Sequence, residues 1–333
     1  MTFNVALLGG GSWGTTVASL VARNNPTTLW ARSASTVAEI NHHHTNSKYL
    51  PGAKLSPKLV ASTDLRNTVA DADVLIVAVP SHGFRDILQQ VAPYLRKWVP
   101  VISLTKGLEK VSNKRMTEIV AEVLPGHPYG VLSGPNLAAE IMAGQAAATV
   151  LAMDDEVVQR ELQSVFSNGV FRVYVNNDVV GCELGGVLKN VIAIAVGIGD
   201  GLGAGDNTRA ALITRGLSEV TRLGVALGGR PETFAGLAGM GDMIATCTSS
   251  KSRNRSVGFA LGQGSDIQTI IDDMVMVAEG VKSVGAVLEL AAQCQVPMPI
   301  TKFVYNVVID GGSAKEAFRN IIRTEAGAEW EPG

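Results

Sequence analysis

The residue best suited to acid–base chemistry is Lys189, a lone cation in an apolar segment. It stands in the run GGVLKNVIAI at Gly185–Ile194, where no other residue carries a charge. A buried ammonium without a partner is costly, so such a lysine either has a lowered pKa or acquires a partner. A lysine with a lowered pKa can exchange a proton with a substrate oxygen near neutral pH. The alternative is a lysine whose amine reaches the surface.

A second polar cluster, Thr248–Arg255, carries three cations, includes Ser252, Arg253 and Asn254, and precedes a segment with helical spacing. Its hydroxyl, guanidinium and amide, together with the start of a helix, suit a phosphate dianion, and the alternative is a solvated basic loop. Upstream, Asp242 follows the glycine turn Gly239–Gly241. Its carboxylate either caps a helix or orients Lys189.

A dinucleotide-binding pattern opens the chain, in the sequence GGGSWG at residues 9–14. Gly9, Gly11 and Gly14 satisfy G-x-G-x-x-G between an apolar run and a helical segment, which is the context that this motif requires. The first glycine permits a tight turn, the second lets a pyrophosphate approach, and the third packs helix on strand. The following helix offers N–H groups to the phosphates.

Arg32 and Ser33 follow the second predicted strand, where an NAD-specific site has Asp or Glu. A cation and a hydroxyl can accept a 2′-phosphate, so we expect NADP(H) to be tolerated, unless Arg32 is a plain surface residue. Lys106 and the turn 133–136 also follow strands, where ligands bind in doubly wound sheets. Glu279 precedes a helical segment and could be a plain N-terminal acid.

These residues need a scaffold, and the first half of the chain predicts an α/β sheet. Apolar runs such as DVLIVAVP are typical of parallel strands buried on both faces. Alternation with helical segments predicts right-handed crossovers and a doubly wound, Rossmann-type sheet. The strand candidates are Phe3–Leu8, Thr28–Trp30, Asp73–Pro80, Val99–Leu104, Tyr129–Leu132, Ala148–Ala152 and Val170–Val175.

Helical spacing replaces the strands after about Asn176. We therefore expect a dinucleotide-binding domain at residues 1–176 and an all-helical substrate domain at residues 177–333, in line with roughly 150 residues per domain. The helical segments are Val179–Ile198, Thr208–Leu227, Val257–Leu261, Val281–Ala292 and Thr301–Val308.

Composition excludes several classes of function. A net charge of −2 argues against a nucleic-acid or anionic-membrane surface. The three cysteines show no disulfide or zinc spacing, and His42–His44 predicts a solvated loop rather than a metal site. Val187–Ile198 is shorter than the ~20 residues that span a bilayer. The sequence thus predicts a soluble cytoplasmic protein without a metal or a membrane insertion.

Eight segments together resemble the bacterial glycerol-3-phosphate dehydrogenases, and the resemblance covers essentially the whole chain. It implies reversible reduction of dihydroxyacetone phosphate to sn-glycerol 3-phosphate with NAD(P)H, which supplies the backbone of membrane phospholipids. It also implies a cytoplasmic homodimer. The segments are GGGSWGT at 9–15, VPSH at 79–82, TKGLE at 105–109, SGPN at 133–136, GGVLKNVIAI at 185–194, NTRAALITRGLSE at 207–219, GLAGMGDM at 236–243 and SRNR at 252–255.

The same resemblance implies roles for single positions. Lys189 matches the residue that accepts the proton in alcohol oxidation and donates it in ketone reduction, and Asp242 matches its companion. Catalytic candidates are Lys189, Asp242 and Lys106. Substrate positions are Lys106, Gly134, Asn136, Lys189, Asp242, Ser252, Arg253 and Asn254, with Arg253 and Asn254 at the phosphate. Cofactor positions are Gly9, Gly11, Ser12, Trp13, Gly14, Arg32, Lys106, Ala138, Arg253 and Glu279. Asn136 departs from the Ser or Thr common at its position.

Two other functions stay open on the sequence. A dehydrogenase of similar architecture could bind the carboxylate of a hydroxy acid at the Arg253 segment, and comparing turnover of phosphate and carboxylate substrates separates the two. A non-enzymatic redox sensor could bind dinucleotide and present its helical half to a partner. The sensor has no need for a lysine in the Val187–Ile194 stretch. An absence of NAD(P)H oxidation with dihydroxyacetone phosphate would favour the sensor.

Overall fold

The computed structural model describes residues 2–274 and 278–322. The chain divides into two compact units, Met1–Val179 and Val180–Gly333.

Within the described part of the N-terminal unit, eight strands form one sheet with helices between them, which confirms the predicted fold class. The strands are β1 (Val5–Leu8), β2 (Thr27–Trp30), β3 (Leu59–Ser62), β4 (Val74–Val77), β5 (Val101–Ser103), β6 (Tyr129–Ser133), β7 (Ala147–Met153) and β8 (Phe171–Asn176). The helices are α1 (Ser12–Val21), α2 (Ala34–His43), α3 (Leu65–Val69), α4 (Phe84–Val91), α5 (Met116–Val123), α6 (Ala138–Met142) and α7 (Glu156–Phe166).

The strand order is β3-β2-β1-β4-β5-β6-β7-β8, and the chain changes direction across the sheet at β1. There Leu8 lies beside Trp30 of β2 on one side and Val77 of β4 on the other, in parallel register. In doubly wound sheets a ligand binds outside the carboxyl ends of the strands at such a switch point. The carboxyl end of β1 is where the glycine-rich segment begins.

Two features of the sheet differ from the expectation. The strand β3 does not appear among the predicted strands, because it is a four-residue edge strand with an exposed Val60 and so lacks a continuous apolar run. The pair β6–β7 is antiparallel, whereas the sheet is otherwise parallel. An alternation of strands and helices along the sequence does not record the direction of a strand.

The centre of the sheet is covered on both faces. Leu7 and Ile76 belong to one hydrophobic cluster and Leu8 and Leu75 to the other, all with no exposed surface. Burial on both faces explains why β1 and β4 read as continuous apolar runs rather than alternating ones. The strands β1 and β4 at the switch point are therefore packed on both faces.

The three consecutive histidines do not form the loop that we expected. His42 and His43 are the last two residues of α2 and are exposed, and His44 ends the helix with φ at 51°. The Ser33 side chain caps the start of this helix, and His44 adopts the left-handed conformation in which helices commonly end, so the helix includes His42 and His43. Within residues 2–274 and 278–322, no group of His, Cys, Asp or Glu is arranged to hold a metal ion.

The C-terminal unit is helical, and the described residues beyond Asn176 include no strand. A π-helical turn at Leu237–Gly241 precedes α11. The helices are α8 (Val179–Gly201), α9 (Asp206–Ala226), α10 (Pro231–Phe234), α11 (Asp242–Thr248), α12 (Arg253–Gly262), α13 (Ile267–Asp272), α14 (Glu279–Gln293), α15 (Pro299–Val308) and α16 (Ala314–Ile322).

The helix α8 is long and apolar enough to cross a membrane, the only such helix among the described residues. Almost all of it is buried inside the protein, as expected of a core helix. Its neighbours approach closely: a Cβ on Gly216 of α9 would collide with Ile192, and a Cβ on Gly199 would lie 3.0 Å from the ring of Phe318 in α16. The helix is thus enclosed by the rest of its unit.

A buried carboxylate joins two helices of this unit. Glu219 of α9 accepts hydrogen bonds from Ile300 N at 2.5 Å and from Thr301 N at 3.2 Å, at the start of α15. Burial raises the pKa of Glu219 to about 7, although these hydrogen bonds favour the carboxylate.

Candidate active site

The glycine-rich turn has the geometry that a dinucleotide phosphate requires. Gly9 has φ at 122°, and a Cβ there would lie 2.6 Å from Ala78 O. A Cβ on Gly14 would collide with Gly9 O, so α1 can approach β1 only with glycine at this position. A Cβ on Gly11 would meet nothing within 4 Å, which leaves the backbone open to an approaching group. The segment therefore fits the pyrophosphate of a dinucleotide.

Sequence reasoning missed a side chain that supports this turn. Asn46 is fully buried, and its Nδ2 donates to Gly10 O and to Thr15 Oγ1, both at 2.9 Å. The amide thereby ties the turn to the first helical turn of α1. Asn46 lies 36 residues beyond Gly10, so no local pattern in the sequence indicates it.

The remaining cofactor candidates in this unit are partly accessible. Arg32 follows β2 and is exposed, while the neighbouring Ser33 caps α2 by accepting from Thr36 N at 3.3 Å. The Trp13 ring packs edge-on against Phe171 with centroids 6.2 Å apart. The Trp13 Nε1 atom is buried without a hydrogen-bond partner. A buried donor of this kind is normally satisfied by protein, water or a ligand.

Lys106, Gly134 and Asn136 lie together, beside the carboxyl ends of β5 and β6. Lys106 Nζ donates to Gly134 O at 2.9 Å. Asn136 Nδ2 donates to Thr149 Oγ1 at 3.0 Å, and that hydroxyl donates to Ser133 O at 3.0 Å. Asn136 Oδ1 and Ser133 Oγ are buried with no partner. The cluster thus presents an ammonium that donates hydrogen bonds, an amide oxygen that accepts them and a hydroxyl that can do either, which suits a small polar ligand.

In the C-terminal unit, Lys189 does not reach the surface. The side chain is 6% exposed, and Nζ donates to Asp242 Oδ1 at 2.5 Å, where the Asp242 side chain is 3% exposed. The ammonium also donates to Thr246 Oγ1. The surface alternative for Lys189 is therefore wrong, and Asp242 is the partner that a buried lysine requires.

Thr246 is a second functional candidate that sequence reasoning missed. It lies one helical turn after Asp242 in α11, and its hydroxyl is 3.4 Å from Asp242 Oδ1. Residues four apart share a helix face, so the spacing of Asp242 and Thr246 is the signal that could have found it.

Ser252-Arg253-Asn254 forms a helix start rather than a solvated loop. Ser252 is the N-cap of α12, and its hydroxyl accepts from Arg255 N at 3.3 Å. Arg253 is exposed, yet the protein around it lowers the pKa of its guanidinium by desolvation, which Glu279 partly opposes. An accessible guanidinium at a helix N-terminus suits a phosphate dianion.

Asn254 is buried and joins three helices. Its Nδ2 donates to Asn190 Oδ1 at 3.0 Å, and its Oδ1 accepts from Gly280 N at 3.0 Å. Asn190 follows Lys189 in α8, and Gly280 follows Glu279 in α14. The bond to Asn190 uses one of the two Nδ2 hydrogens, so the group has a second hydrogen to donate. The start of α12 is thus tied to the lysine helix and to the start of α14.

Five of the predicted site residues share one structural position, since each is the first residue of a helix. At four of these starts the chain enters the helix from an extended N-cap, and the positive end of the helix dipole there favours an anionic ligand group, whereas Asp242 continues the π-helical turn. The five residues are Ser12, Ala138, Asp242, Arg253 and Glu279.

Two family models match the chain. The model described as NAD-dependent glycerol-3-phosphate dehydrogenase N-terminus matches residues 4–159, and the model for the C-terminus matches residues 178–319. Together they span most of both units.

Named relatives agree with the family models. The chain is 62% identical over the full length of both chains to glycerol-3-phosphate dehydrogenase (NAD(P)+) 2 of Sphingopyxis alaskensis. It is 53% identical to glycerol-3-phosphate dehydrogenase (NAD(P)+) 1 of Mycobacterium bovis, covering 98% of this chain and 96% of that one. The crystal structure of glycerol-3-phosphate dehydrogenase from Coxiella burnetii superposes with a TM-score of 0.92 at 36% identity, covering 97% of this chain and 99% of that one.

Proposed function

Because the chain belongs to the NAD-dependent glycerol-3-phosphate dehydrogenase family, we propose that its buried Lys189–Asp242 pair delivers the proton in the reduction of dihydroxyacetone phosphate. The protein is an NAD(P)-dependent oxidoreductase that interconverts this ketone and sn-glycerol 3-phosphate. Family membership decides against the hydroxy-acid dehydrogenase and against the non-enzymatic sensor. The observation that carries the residue assignment is a lysine bonded to a carboxylate inside an apolar helix.

The proton step follows from the surroundings of Lys189. NAD(P)H, when bound, supplies the hydride that reduces the carbonyl carbon of the substrate. The carbonyl oxygen gains negative charge as the carbon is reduced, and the Lys189 ammonium stabilises that charge and donates a proton to it. Asp242 Oδ1, at 2.5 Å, and the Thr246 hydroxyl hold the amine in place. In the direction of alcohol oxidation the neutral lysine accepts the hydroxyl proton.

Arg253 and Asn254 anchor the substrate through its phosphate. The phosphate is remote from the reacting carbon, so its binding orients the ketone without changing during the reaction. Ser252 supports this contact as the cap of α12, and Lys106, Gly134 and Asn136 are the further substrate positions. Asn136 Oδ1 has no partner and can accept a hydrogen bond from a substrate hydroxyl. The Ser or Thr common at this position would bind the same hydroxyl through its own oxygen.

The N-terminal domain, residues 1–176, supplies most of the cofactor contacts, and residues 177–333 supply the proton donor and the phosphate anchor of the substrate. Gly9, Gly11 and Gly14 receive the pyrophosphate, and Arg32 receives the 2′-phosphate of NADPH. Ser12, Trp13, Lys106, Ala138, Arg253 and Glu279 complete the cofactor contacts. We place the enzyme in the cytoplasm as a homodimer that supplies glycerol 3-phosphate to phospholipid synthesis, without a nucleic-acid partner or a membrane insertion.

The test compares two substrates in an Arg253→Ala variant. One charge-assisted bond to phosphate contributes about 1.5–3 kcal/mol, so kcat/KM for dihydroxyacetone phosphate should fall roughly ten- to a hundredfold. Turnover of dihydroxyacetone, which has no phosphate, should fall much less, by only what Arg253 contributes through the cofactor. Initial rates of NADH and NADPH oxidation measure both. An equal loss with both substrates would show that Arg253 serves the cofactor or the fold instead.

A further inference from the structure

Asp200, near the end of α8, is a buried carboxylate that holds two guanidinium groups. Its side chain is 4% exposed. One carboxylate oxygen accepts from Arg255 Nε at 2.8 Å and lies 2.6 Å from Arg255 Nη2, and the other accepts from Arg209 Nε at 2.9 Å. Arg255 belongs to α12 and Arg209 to α9, so one acid joins three helices. Neither the resemblance nor the proton step gives Asp200 a role.

Arg255 connects this acid to the phosphate anchor. It lies in the first turn of α12, two residues after Arg253, and its backbone N–H donates to the Ser252 cap at 3.3 Å. The side chain points to Asp200 while the backbone completes the turn that presents Arg253 and Asn254. Fixing the Arg255 side chain therefore fixes the helix start from which the phosphate residues project.

The two helices at this point touch through their backbones. A Cβ on Gly197 of α8 would collide with Arg255 O, and a Cβ on Gly258 of α12 would collide with Ile194 O. A Cβ on Gly201 would collide with Phe259 O in the same way. With no side chains between them, α8 and α12 cannot approach further. The glycine contacts limit how close the helices come, and the Asp200–Arg255 ion pair resists their separation and sliding.

We propose that Asp200 is a positioning residue for the substrate phosphate. Through Arg255 it holds the first turn of α12 against α8, the helix that carries Lys189. The separation between the phosphate anchor and the proton donor is thereby fixed inside a single pair of helices. The proposal rests on the proposed function of Arg253 and Asn254. Because α8 and α12 hold the phosphate anchor at a fixed distance from Lys189, they select substrates with the matching separation between phosphate and carbonyl.

The test is Asp200→Asn, which keeps the shape of the side chain and removes its charge. Two guanidinium groups then face a neutral amide, and the α12 start is free to shift. A displacement of about 1 Å can reduce rate as much as a hundredfold, so kcat/KM for dihydroxyacetone phosphate should fall roughly 10- to 100-fold. The rise in KM should account for most of this loss. Dihydroxyacetone, which has no phosphate to place, should react within about twofold of the wild-type rate.

A matched control removes a charge from the same network. Asp206 lies 2.6 Å from Arg209 Nη1 and is 93% exposed, but it does not hold Arg255. Asp206→Asn should change neither substrate's kcat/KM. An equal phosphate-specific loss in Asp206→Asn would overturn the proposal, because it would trace the effect to surface charge.

A double-mutant cycle establishes the route through Arg255. Arg255→Gln should cause the same phosphate-specific loss, and the double variant Asp200→Asn/Arg255→Gln should be no worse than the more affected single variant. Arg255→Lys keeps the charge without the guanidinium geometry, so kcat/KM for dihydroxyacetone phosphate should fall less than in Arg255→Gln. This variant replaces Asp200→Asn as the test if Asp200→Asn does not fold. Losses that multiply in the double variant, or that affect both substrates equally, would overturn the proposal. Arg253→Ala tests the phosphate assignment itself, so the two failures are distinguishable.

Discussion

Replacing Lys189 by methionine should impair catalysis and stability together, for separate reasons. The side chain keeps its length and apolar stem but loses the ammonium that we propose as the proton donor. Loss of a general acid lowers kcat by about 10²–10⁴, or about 2.7–5.4 kcal/mol of barrier. The Asp242 carboxylate, 3% exposed, stays buried without this cation. Breaking a buried ion pair from one side costs about 3–5 kcal/mol, or roughly 6–20 °C in Tm for a unit of this size.

A second substitution separates the two effects. In Lys189→Met/Asp242→Asn the buried charge is gone, so Tm should recover by half or more of the loss. The proton donor is still missing, so kcat should stay as low as in the single variant. Loss of NADPH absorbance with dihydroxyacetone phosphate measures kcat, and thermal unfolding by circular dichroism measures Tm. NADPH affinity, from fluorescence titration, should match wild type in both variants.

Two results would refute this reasoning. A folded Lys189→Met variant with near-wild-type kcat would show that the proton comes from another group. Recovery of kcat along with Tm in the double variant would show that the single variant was slow because its helical unit was disturbed, not because a proton donor was lost.

Three further predictions concern other parts of the chain. Arg32→Ala should raise KM for NADPH about tenfold or more and leave KM for NADH unchanged, since one charge-assisted bond to the 2′-phosphate is lost. Equal changes in the two KM values would show that Arg32 does not bind the 2′-phosphate. Gly14→Ala should weaken binding of both cofactors at least about tenfold because its Cβ collides with Gly9 O, whereas Gly205→Ala, where a Cβ meets nothing within 4 Å, should bind normally in the same titration. The folded-state pKa of Glu219 is raised from 4.5 to about 7, so protonation of this carboxyl stabilises the folded state. This stabilisation is complete below the unfolded-state pKa of 4.5 and is lost as the pH rises through 7. The free energy of unfolding should therefore fall by about 3 kcal/mol across this window in wild type but not in Glu219→Gln, and parallel pH profiles in chemical denaturation would contradict this.

The parts of the fold that sequence predicts are those with a strong local signal. The strands β1 and β4 are buried on both faces and read as apolar runs, and Lys189 is conspicuous as the one charge in the run Gly185–Ile194. The strand β3 has half of its residues outside the core and gives no such signal. The direction of β7 is set by its pairing with β6, which its own residues do not encode.

The missed site residues have a different cause, because their roles come from distant partners. Asn46 acts on a turn 36 residues earlier, and the Thr246 hydroxyl meets an amine 57 residues away. Asp200 holds Arg255 across 55 residues. An amide, a hydroxyl or a carboxylate of this kind is common in any sequence. Only the folded chain shows which one is buried against a functional group.

The enclosure of α8 has a consequence for how the protein is made. The N-terminal unit ends at Val179, so its residues leave the ribosome first and can fold while the rest is still being synthesised. The helix α8 emerges next, as 23 mostly apolar residues, before any of the helices that later surround it. The glycines of α12 that dock against it, at 258 and 262, follow it by more than 50 residues, and Phe318 by still more. During that interval the nascent chain carries an apolar helix without its packing partners, and exposed apolar surface of this kind is what chaperones bind and what promotes aggregation.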